Sequence, residues 1–427
     1  MPEDPVNLSF IFAGGGTGGH LYPGLAIAAE LTRSTRVSTS NRTIRARCVF
    51  VCSDRPLDAE IMGKSGYEYR HSRARPLSSS PGGLIRFAMH WGASVREGRR
   101  LIRELRAGKP SAKGVSPSPS RVCVIAMGGF VAAPLAQAAR AERVPLVLVN
   151  LDAVPGKANR WIAEHAAQVL TATRIREGGA TLDRGYAARW LLIPPIIRAE
   201  ADASIAGGPP GGARAAECRR KLGLDPQAPT LMVTGGSQGA KSLNHFMAAI
   251  AASDAGQRAL KGDAAANGGK PWQILHQTGK DADSALAETY KKAGIVAVVR
   301  PFTDQIADWW GAADLAVARA GAGNVAEAWA SRTPTLFMPY PYHKDEHQRY
   351  NAMSLEEAGG ARIARDQIDP KLNLDGAGAV LLSLIESGEQ RRQMRAGLEK
   401  LGPADGAARV AEILLEILTP APGFAVA

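Results

Sequence analysis

Three glycine-bearing stretches of this chain carry residue types that can do chemistry. The first is Gly14-Gly-Gly-Thr-Gly-Gly-His20, leading into Leu21-Tyr-Pro-Gly24. Its glycines let the backbone take positive φ and let an anion or a sugar come close. His20, directly behind them, has the right side chain for a general base or for stabilising a leaving group. Gly14, Gly16 and Gly19 also fit G-x-G-x-x-G, a pattern that gains meaning only between a strand and a helix. The second stretch is Gly235-Gly-Ser-Gln-Gly239, and the third is Arg319-Ala-Gly-Ala-Gly-Asn324 with Glu327 close behind. The turn Gly321 to Asn324 precedes a helical pattern, so its N–H groups and the helix's partial positive charge suit a diphosphate. Glu327, in the first turns of that helix, has the geometry either to accept both hydroxyls of a ribose or to cap the macrodipole. Phe302 and Thr303 can bracket a base, one by stacking and the other through its backbone.

Metal chemistry finds little support. His343 and His347 stand four apart with Asp345 and Glu346 between them. This is not H-E-x-x-H, and Pro339 and Pro341 upstream indicate a loop running into a helix, so no metal site is expected. The four cysteines form no C-x-x-C pair and read as idle thiols of a reducing compartment. No cofactor is called for.

The chain has 427 residues, enough for two domains, and 45% are hydrophobic, which fits globular packing. A net charge of +12 and a pI near 9.7 favour anionic partners: nucleotide phosphates, acidic headgroups or nucleic acid. No recognition helix or RNA-binding signature accompanies the charge, so nucleic acid is not expected. Met1-Pro-Glu-Asp-Pro lacks a signal-peptide pattern, and no apolar run reaches the roughly 20 residues of a spanning helix. A place on a membrane surface is still open.

The elements that must position these residues alternate strand and helix. Strand-like runs are Leu8–Ala13, Cys48–Cys52, Val122–Met127 and Pro145–Val149. After a break come Thr230–Thr234, Trp272–His276, Val296–Val299, Asp314–Ala318 and Pro334–Met338. This is the pattern of layered α/β domains, whose ligands lie outside the carboxyl ends of parallel strands. Gly128-Gly-Phe130, Asn150-Leu-Asp152 and Asn159 fall at such ends. Asp54, after the second strand, stands where a dinucleotide fold holds a ribose, but it lies far from Gly19 and reads first as a turn residue. Pro81 to Lys109 places Leu84, Phe87, Ala88, Trp91 and Val95 on one helical face, among Arg86, Arg96, Arg99, Arg100, Arg103 and Arg106. It is either a core helix with a solvated basic face or a helix pressing an aromatic side into an anionic membrane. The Ala/Gly/Pro-rich segment 199–216 divides the chain into residues 1–198 and 217–405. The amphipathic tail within 406–427 is expected to pack back across the boundary.

Taken in order, Gly15-Gly-Thr-Gly-Gly-His-Leu-Tyr-Pro-Gly-Leu-Ala26, Met127-Gly-Gly-Phe130, Gly235-Gly-Ser-Gln-Gly-Ala240 and His276-Gln-Thr-Gly-Lys280 form a set. It continues with Arg319-Ala-Gly-Ala322 and Glu327, and with His343-Lys-Asp-Glu-His-Gln348 and Asn351-Ala352. The set resembles the MurG family of bacterial peptidoglycan glycosyltransferases, over roughly residues 8 to 405. The resemblance implies a GT-B fold: α/β, with two Rossmann-like parallel-sheet domains facing a cleft. The lipid acceptor would lie on the first and the donor nucleotide on the second. It implies inverting, metal-independent transfer of N-acetylglucosamine from UDP-GlcNAc. The acceptor would be the C4 hydroxyl of undecaprenyl-diphosphate-linked muramoyl pentapeptide, reached peripherally at the cytoplasmic face of the inner membrane.

Carried over by that resemblance, Thr17, Gly18 and Gly19 face the donor sugar and diphosphate, with His20 at the reacting centre. Ser237 and Gln238 reach the phosphates. Thr303 meets uracil beside Phe302. Arg319, Gly321 and Ala322 hold the diphosphate turn, Glu327 the ribose, and His347, Gln348 and Asn351 the sugar side. The Leu84–Arg106 stretch matches the membrane-docking region. Three departures stand out. Asp152 replaces an amide expected near the sugar. Ile193-Pro-Pro-Ile-Ile-Arg198 replaces Gly-Asn-Pro-Val-Arg, with Arg198 in the arginine's place. Asn324 stands where the family has threonine. The first departure keeps open a sugar transferase acting on another lipid such as diacylglycerol, and a non-catalytic nucleotide-sugar binder is a further alternative of a different class. An NAD-dependent oxidoreductase needs only one such half and an acid at the right spacing, and the second half argues against it.

Overall fold

The computed structural model describes residues 6–16, 18–34, 44–77, 80–108, 119–176, 190–198, 212–236, 239–262, 269–279 and 284–419. Thr17, Ser237 and Gln238 of the expected site, and most of the 199–216 segment, lie outside them. The first half contributes strands β1 (Val6–Ala13), β2 (Ile44–Cys52), β3 (Glu68–His71), β4 (Ser120–Ala126), β5 (Leu146–Asn150), β6 (Gln168–Thr171) and β7 (Trp190–Leu192). The second contributes β8 (Thr230–Thr234), β9 (Gln273–Gln277), β10 (Ala297–Arg300), β11 (Leu315–Ala318), β12 (Thr335–Phe337) and β13 (Ala361–Ile363). They form two sheets of parallel strands, in the orders β3-β2-β1-β4-β5-β6-β7 and β10-β9-β8-β11-β12-β13.

Strand alternation puts successive side chains on opposite faces. In β1, Leu8, Phe10 and Phe12 join one core cluster, while Ile11 and Ala13 join the one across the sheet. Helices cover both faces, so the central strands read as unbroken apolar runs. Strand order reverses between β1 and β4 in the first sheet and between β8 and β11 in the second. Ala13 pairs with Ala126, and Ala318 with Thr234. Each reversal opens a crevice at the carboxyl ends, the place where doubly wound sheets bind ligands.

The helix Gly406–Leu418 belongs by sequence to the end of the chain and by packing to the first half. Val410, Ala411, Ile413, Leu414 and Leu418 are buried in the same cluster as Phe10 and Phe12, and Arg121 Nη1 donates to the Leu418 carbonyl at 2.7 Å. Each large apolar side chain buried there contributes about 1.5–3 kcal/mol. Asp405 bridges Ile196, and a Cβ on Gly406 would come within 2.0 Å of the Pro194 carbonyl oxygen, so only glycine fits this junction.

The helix Pro81–Ala107 starts at Ser80, whose hydroxyl accepts from the Gly83 N–H. Its two ends differ. Leu101, Ile102 and Leu105 are buried in the core, whereas Leu84, Ile85 and Met89 are 48–64% exposed. Phe87 and Trp91 meet at a tilt, ring centres 5.5 Å apart, on the flank between. The exposed apolar surface therefore includes Ile85 and Met89, outside the stripe read from the sequence. Several arginines of the core end are paired: Arg99 and Arg103 with Glu142, and Arg100 with Glu104. No helix among the described residues is long and apolar enough to cross a membrane.

Candidate active site

At the first reversal, the glycine stretch divides between turn and helix. Gly16 has φ +87°, and the helix Gly18–Ser34 already begins at Gly18, so Gly18, Gly19 and His20 form its first turn. His20 is half-buried, with Nδ1 3.2 Å from the Gly15 carbonyl oxygen. The turn after β4 makes room for its ring. A Cβ on Gly128 (φ +104°) would stand 3.3 Å from His20 Nε2 and 3.2 Å from Asn159 Oδ1. One on Gly129 (φ +78°) would stand 3.3 Å from Nδ1. Asn159 is oriented from behind, its Nδ2 donating to Asn150 Oδ1 at 2.9 Å.

At the second reversal, two turns converge. Gly236 N–H donates to Thr234 Oγ1 at 3.0 Å, and a Cβ on Gly236 would lie 3.9 Å from Asn324 Nδ2. Gly239, at φ +72°, passes so close to the Thr278 carbonyl oxygen that a Cβ would stand at 2.5 Å. The helix Ala322–Ser331 begins beside this turn. Its N-cap is Gly321, with no side-chain cap, and a Cβ on Gly321 or Gly323 would meet nothing within 4 Å. An uncapped helix N-terminus facing open space is a ready anion site. Asn324 supports it from below, donating to the Arg319 carbonyl at 2.9 Å. Phe302 is 44% exposed, as a stacking surface requires, and Thr303 is buried with Oγ1 accepting from the Gln305 N–H.

Other expected residues take different parts. Arg319 turns its guanidinium into the domain, donating to the Met338 and Pro339 carbonyls, Ser242 Oγ and Asp366 Oδ2. It shapes the loop after β12 and lines a cavity beside Gly239 and Ala240. Glu327 is 1% exposed and already engaged. Its Oε2 accepts from Trp310 Nε1 at 2.8 Å, and Oε1 lies 3.0 Å from Arg198 Nε, at ion-pair distance although the N–H is not aligned as a hydrogen bond. Burial raises the Glu327 pKa, opposed by Arg198 and the Trp310 hydrogen bond. Arg198 in turn lies 4.3 Å over the Tyr22 ring, so a residue from each half contacts it. Asp152 does not wait for a sugar either. Its Oδ1 accepts from Asn351 Nδ2 at 2.9 Å, while Asn351 Oδ1 accepts from Ala153 N–H at 2.7 Å. Asn351 Nδ2 also reaches the Ala320 carbonyl, so this one side chain joins the two halves at the cleft floor. Gln348 accepts from Tyr340 N–H, and His347 Nδ1 lies 2.8 Å from Asp345 Oδ1 with its ring 4.2 Å from that of His343. Burial, then His347, holds the His343 pKa below the usual histidine value. Among the described residues no group of three or more His, Cys, Asp or Glu could hold a metal ion.

Asp58 and Arg55 carry no functional signal in the sequence. Asp54 is exposed and paired with Arg75 at 2.8 Å, a turn residue in fact. The acid that meets the glycine stretch is Asp58, fully buried, accepting from the Gly16 N–H at 2.8 Å. In the sequence, Pro56 marks the start of a helix and puts Asp58 in its first turn, where an acid reads merely as a complement to the macrodipole.

Two parallel-sheet halves, each with its crevice at a strand-order reversal and with a helix N-terminus open at the second, have the architecture of the GT-B fold, and the family matches make the class a glycosyltransferase. Residues 10–171 match the glycosyltransferase family 28 N-terminal domain and residues 230–409 its C-terminal domain. Among relatives, the UDP-N-acetylglucosamine–N-acetylmuramyl-(pentapeptide) pyrophosphoryl-undecaprenol N-acetylglucosamine transferase of Solibacter usitatus is 30% identical, over 96% of this chain and 97% of its own. That of Clavibacter michiganensis is 32% identical, over 97% of each. The crystal structure of Acinetobacter baumannii MurG superposes with a TM-score of 0.66 at 20% identity, covering 96% of this chain and all of that one. The chain belongs to the MurG family of glycosyltransferase family 28.

Proposed function

We propose that this chain transfers N-acetylglucosamine from UDP-GlcNAc to the C4 hydroxyl of undecaprenyl-diphosphate-linked muramoyl pentapeptide, with inversion and without a metal ion. What carries the reading is the pairing of the two reversals: a histidine at one, and an uncapped helix N-terminus at the other. The relatives' names supply the substrates. His20 Nε2 takes the proton of the C4 hydroxyl as that oxygen attacks the anomeric carbon from the face opposite UDP. The bond from that carbon to the diphosphate oxygen breaks, and the charge that develops there is met by the N–H groups at Gly321 and Ala322 and by the second glycine turn, including Ser237 and Gln238. This backbone cradle does the work that a cation does in other phosphate sites. Thr17, Gly18 and Gly19 serve the donor sugar and diphosphate from the first reversal.

Uracil stacks at Phe302 and meets the Thr303 backbone. Glu327 serves the ribose by exchanging Arg198 for its hydroxyls, and His347, Gln348 and Asn351 border the sugar. The exposed Leu84, Ile85 and Met89 on the Pro81–Ala107 helix sit in the interface of an anionic membrane at the cytoplasmic face, as a peripheral contact.

The test is UDP release in a donor-by-acceptor grid, with and without EDTA. Release is expected only with UDP-GlcNAc plus the lipid-linked muramoyl pentapeptide, and at the same rate in EDTA. Release with diacylglycerol in its place would overturn the acceptor. UDP-GlcNAc binding with no release on any acceptor would overturn catalysis.

A further inference from the structure

His20 is tied to a buried carboxylate through a single peptide unit. The peptide between Gly15 and Gly16 presents its carbonyl oxygen to His20 Nδ1 at 3.2 Å and its N–H to Asp58 Oδ2 at 2.8 Å. Asp58 is fully buried, and the same oxygen accepts from Ser53 N–H at 3.0 Å and Ser53 Oγ at 2.6 Å. Three donors converging on one oxygen are what a carboxylate accepts. Its Oδ1 is buried without a hydrogen-bond partner.

The next peptide is gripped by the same helix start. Arg55 Nη1 donates to the Gly16 carbonyl at 2.7 Å, and its guanidinium lies 5.7 Å from the centre of the Phe130 ring. The fit depends on glycine. A Cβ on Gly15 would stand 2.4 Å from Asp58 Oδ2, and Gly16 holds φ +87°. Among the described residues, the charged groups in contact with the turn are Asp58 and Arg55 from the helix after β2; Arg198 lies over Tyr22, two residues beyond His20, and Lys64 acts on Tyr22 at longer range. Asn159 and the Gly128–Gly129 turn, on the other side of the ring, bring none.

We propose that Asp58 is a positioning residue for His20, acting through the Gly15–Gly16 peptide, with Arg55 fixing the adjoining peptide. The inference rests on His20 being the base. A carboxylate that accepts from an amide N–H polarises the amide, which makes its carbonyl a better acceptor. The Gly15 carbonyl then holds a proton on Nδ1, and Nε2 carries the lone pair that takes the acceptor's proton. As Nε2 is protonated, the imidazolium is stabilised by the same relay. This does the job of the acid behind a catalytic histidine with one peptide interposed.

The experiment reads His20 directly, by imidazole 15N NMR of the full chain with and without UDP, alongside kcat, KM and melting temperature. In the parent, Nδ1 carries the proton and Nε2 the lone pair. Asp58→Asn keeps an oxygen for Gly16 and Ser53 and removes the charge. It should mix the tautomers, move the His20 midpoint and the acid limb of kcat to lower pH, and lower kcat roughly 10- to 100-fold with an unchanged KM for UDP-GlcNAc. Arg55→Met, which removes a nearby cation, should move the midpoint the other way. It carries the test if Asp58→Asn does not fold. A His20 tautomer and midpoint that stay put in whichever variant folds would overturn the relay. Full turnover in His20→Ala would remove the base itself, and the relay with it. An inactive His20→Ala beside an unmoved midpoint would sink the relay alone.

Discussion

The two glycine turns occupy the same topological position in two sheets that share one strand order apart from the extra edge strand β7 of the first, and they are held in different ways. The first, Gly14–Gly16, is gripped by charged side chains: Asp58 on an N–H and Arg55 on a carbonyl, both from the neighbouring strand–helix unit. The second, at Gly235, Gly236 and Gly239, is held by close backbone packing over a neutral buried chain. Tyr290 meets His276, His276 Nε2 meets Asn244 Oδ1, and Asn244 Nδ2 donates to the Thr278 carbonyl, against which Gly239 packs. A turn beside a reacting proton gains from fixed charge, which sets tautomer and basicity. A turn that receives an anionic diphosphate gains from the reverse, a support that carries no charge of its own. On this account the first turn serves the chemical step and the second serves donor binding.

The largest effect that would break this division is at His20. His20→Ala should lose about 100- to 10,000-fold in kcat, measured as UDP release under saturating donor. Activity within a few-fold of the parent would remove the first turn from the chemistry. Next in size is Gly239→Ala. It forces a Cβ at φ +72° within 2.5 Å of a carbonyl oxygen, at about 1–3 kcal/mol of strain. The melting temperature should fall and the KM for UDP-GlcNAc rise at least several-fold, while kcat at saturating donor holds. A variant that changes kcat and spares KM would reverse the roles of the turns.

A pH scan sharpens the contrast. Burial pushes the His276 pKa down to about 3, far below an ordinary histidine near 6.5. The folded state therefore binds fewer protons than the unfolded one in that interval. Its stabilising contribution is complete above about pH 6.5 and is lost as pH falls toward 3. The melting temperature should decline across that interval, and His276→Gln should flatten the decline while starting lower at neutral pH. Equal slopes in parent and variant would show that His276 is not the group responsible. The smallest effect is expected at Asn351. Asn351→Ala removes the links to Asp152, Ala153 and Ala320. It should leave each half intact and increase the radius of gyration measured by X-ray scattering without UDP. An unchanged radius would mean that other contacts hold the halves together.

Much of this architecture was legible because buried parallel strands are short apolar runs that end in glycine. Leu8–Ala13 and Thr230–Thr234 announce themselves in that way, and the structure extends the first only to Val6. β3, Glu-Tyr-Arg-His, is a polar edge strand with no alternation to read, and β13 is three residues long. The turns and His20 were legible from their residue types. Their partners were not, because proximity across the fold leaves no local pattern. Asp58 meets Gly16 from a separate strand–helix unit, and Arg198 reaches Glu327 from the other half of the chain. The place of Glu327 on a helix suits a ribose ligand or a cap of the macrodipole, and nothing in that place reveals that Trp310 and Arg198 already hold it. Asp152, a departure in the sequence, becomes intelligible only beside Asn351.

Calorimetric titration of UDP into His20→Ala and Gly239→Ala, side by side with the parent, tests the division most directly. The account predicts a Kd within about twofold of the parent for His20→Ala and a Kd weaker by roughly tenfold or more for Gly239→Ala. Equal weakening in both variants, or weakening confined to His20→Ala, would contradict it.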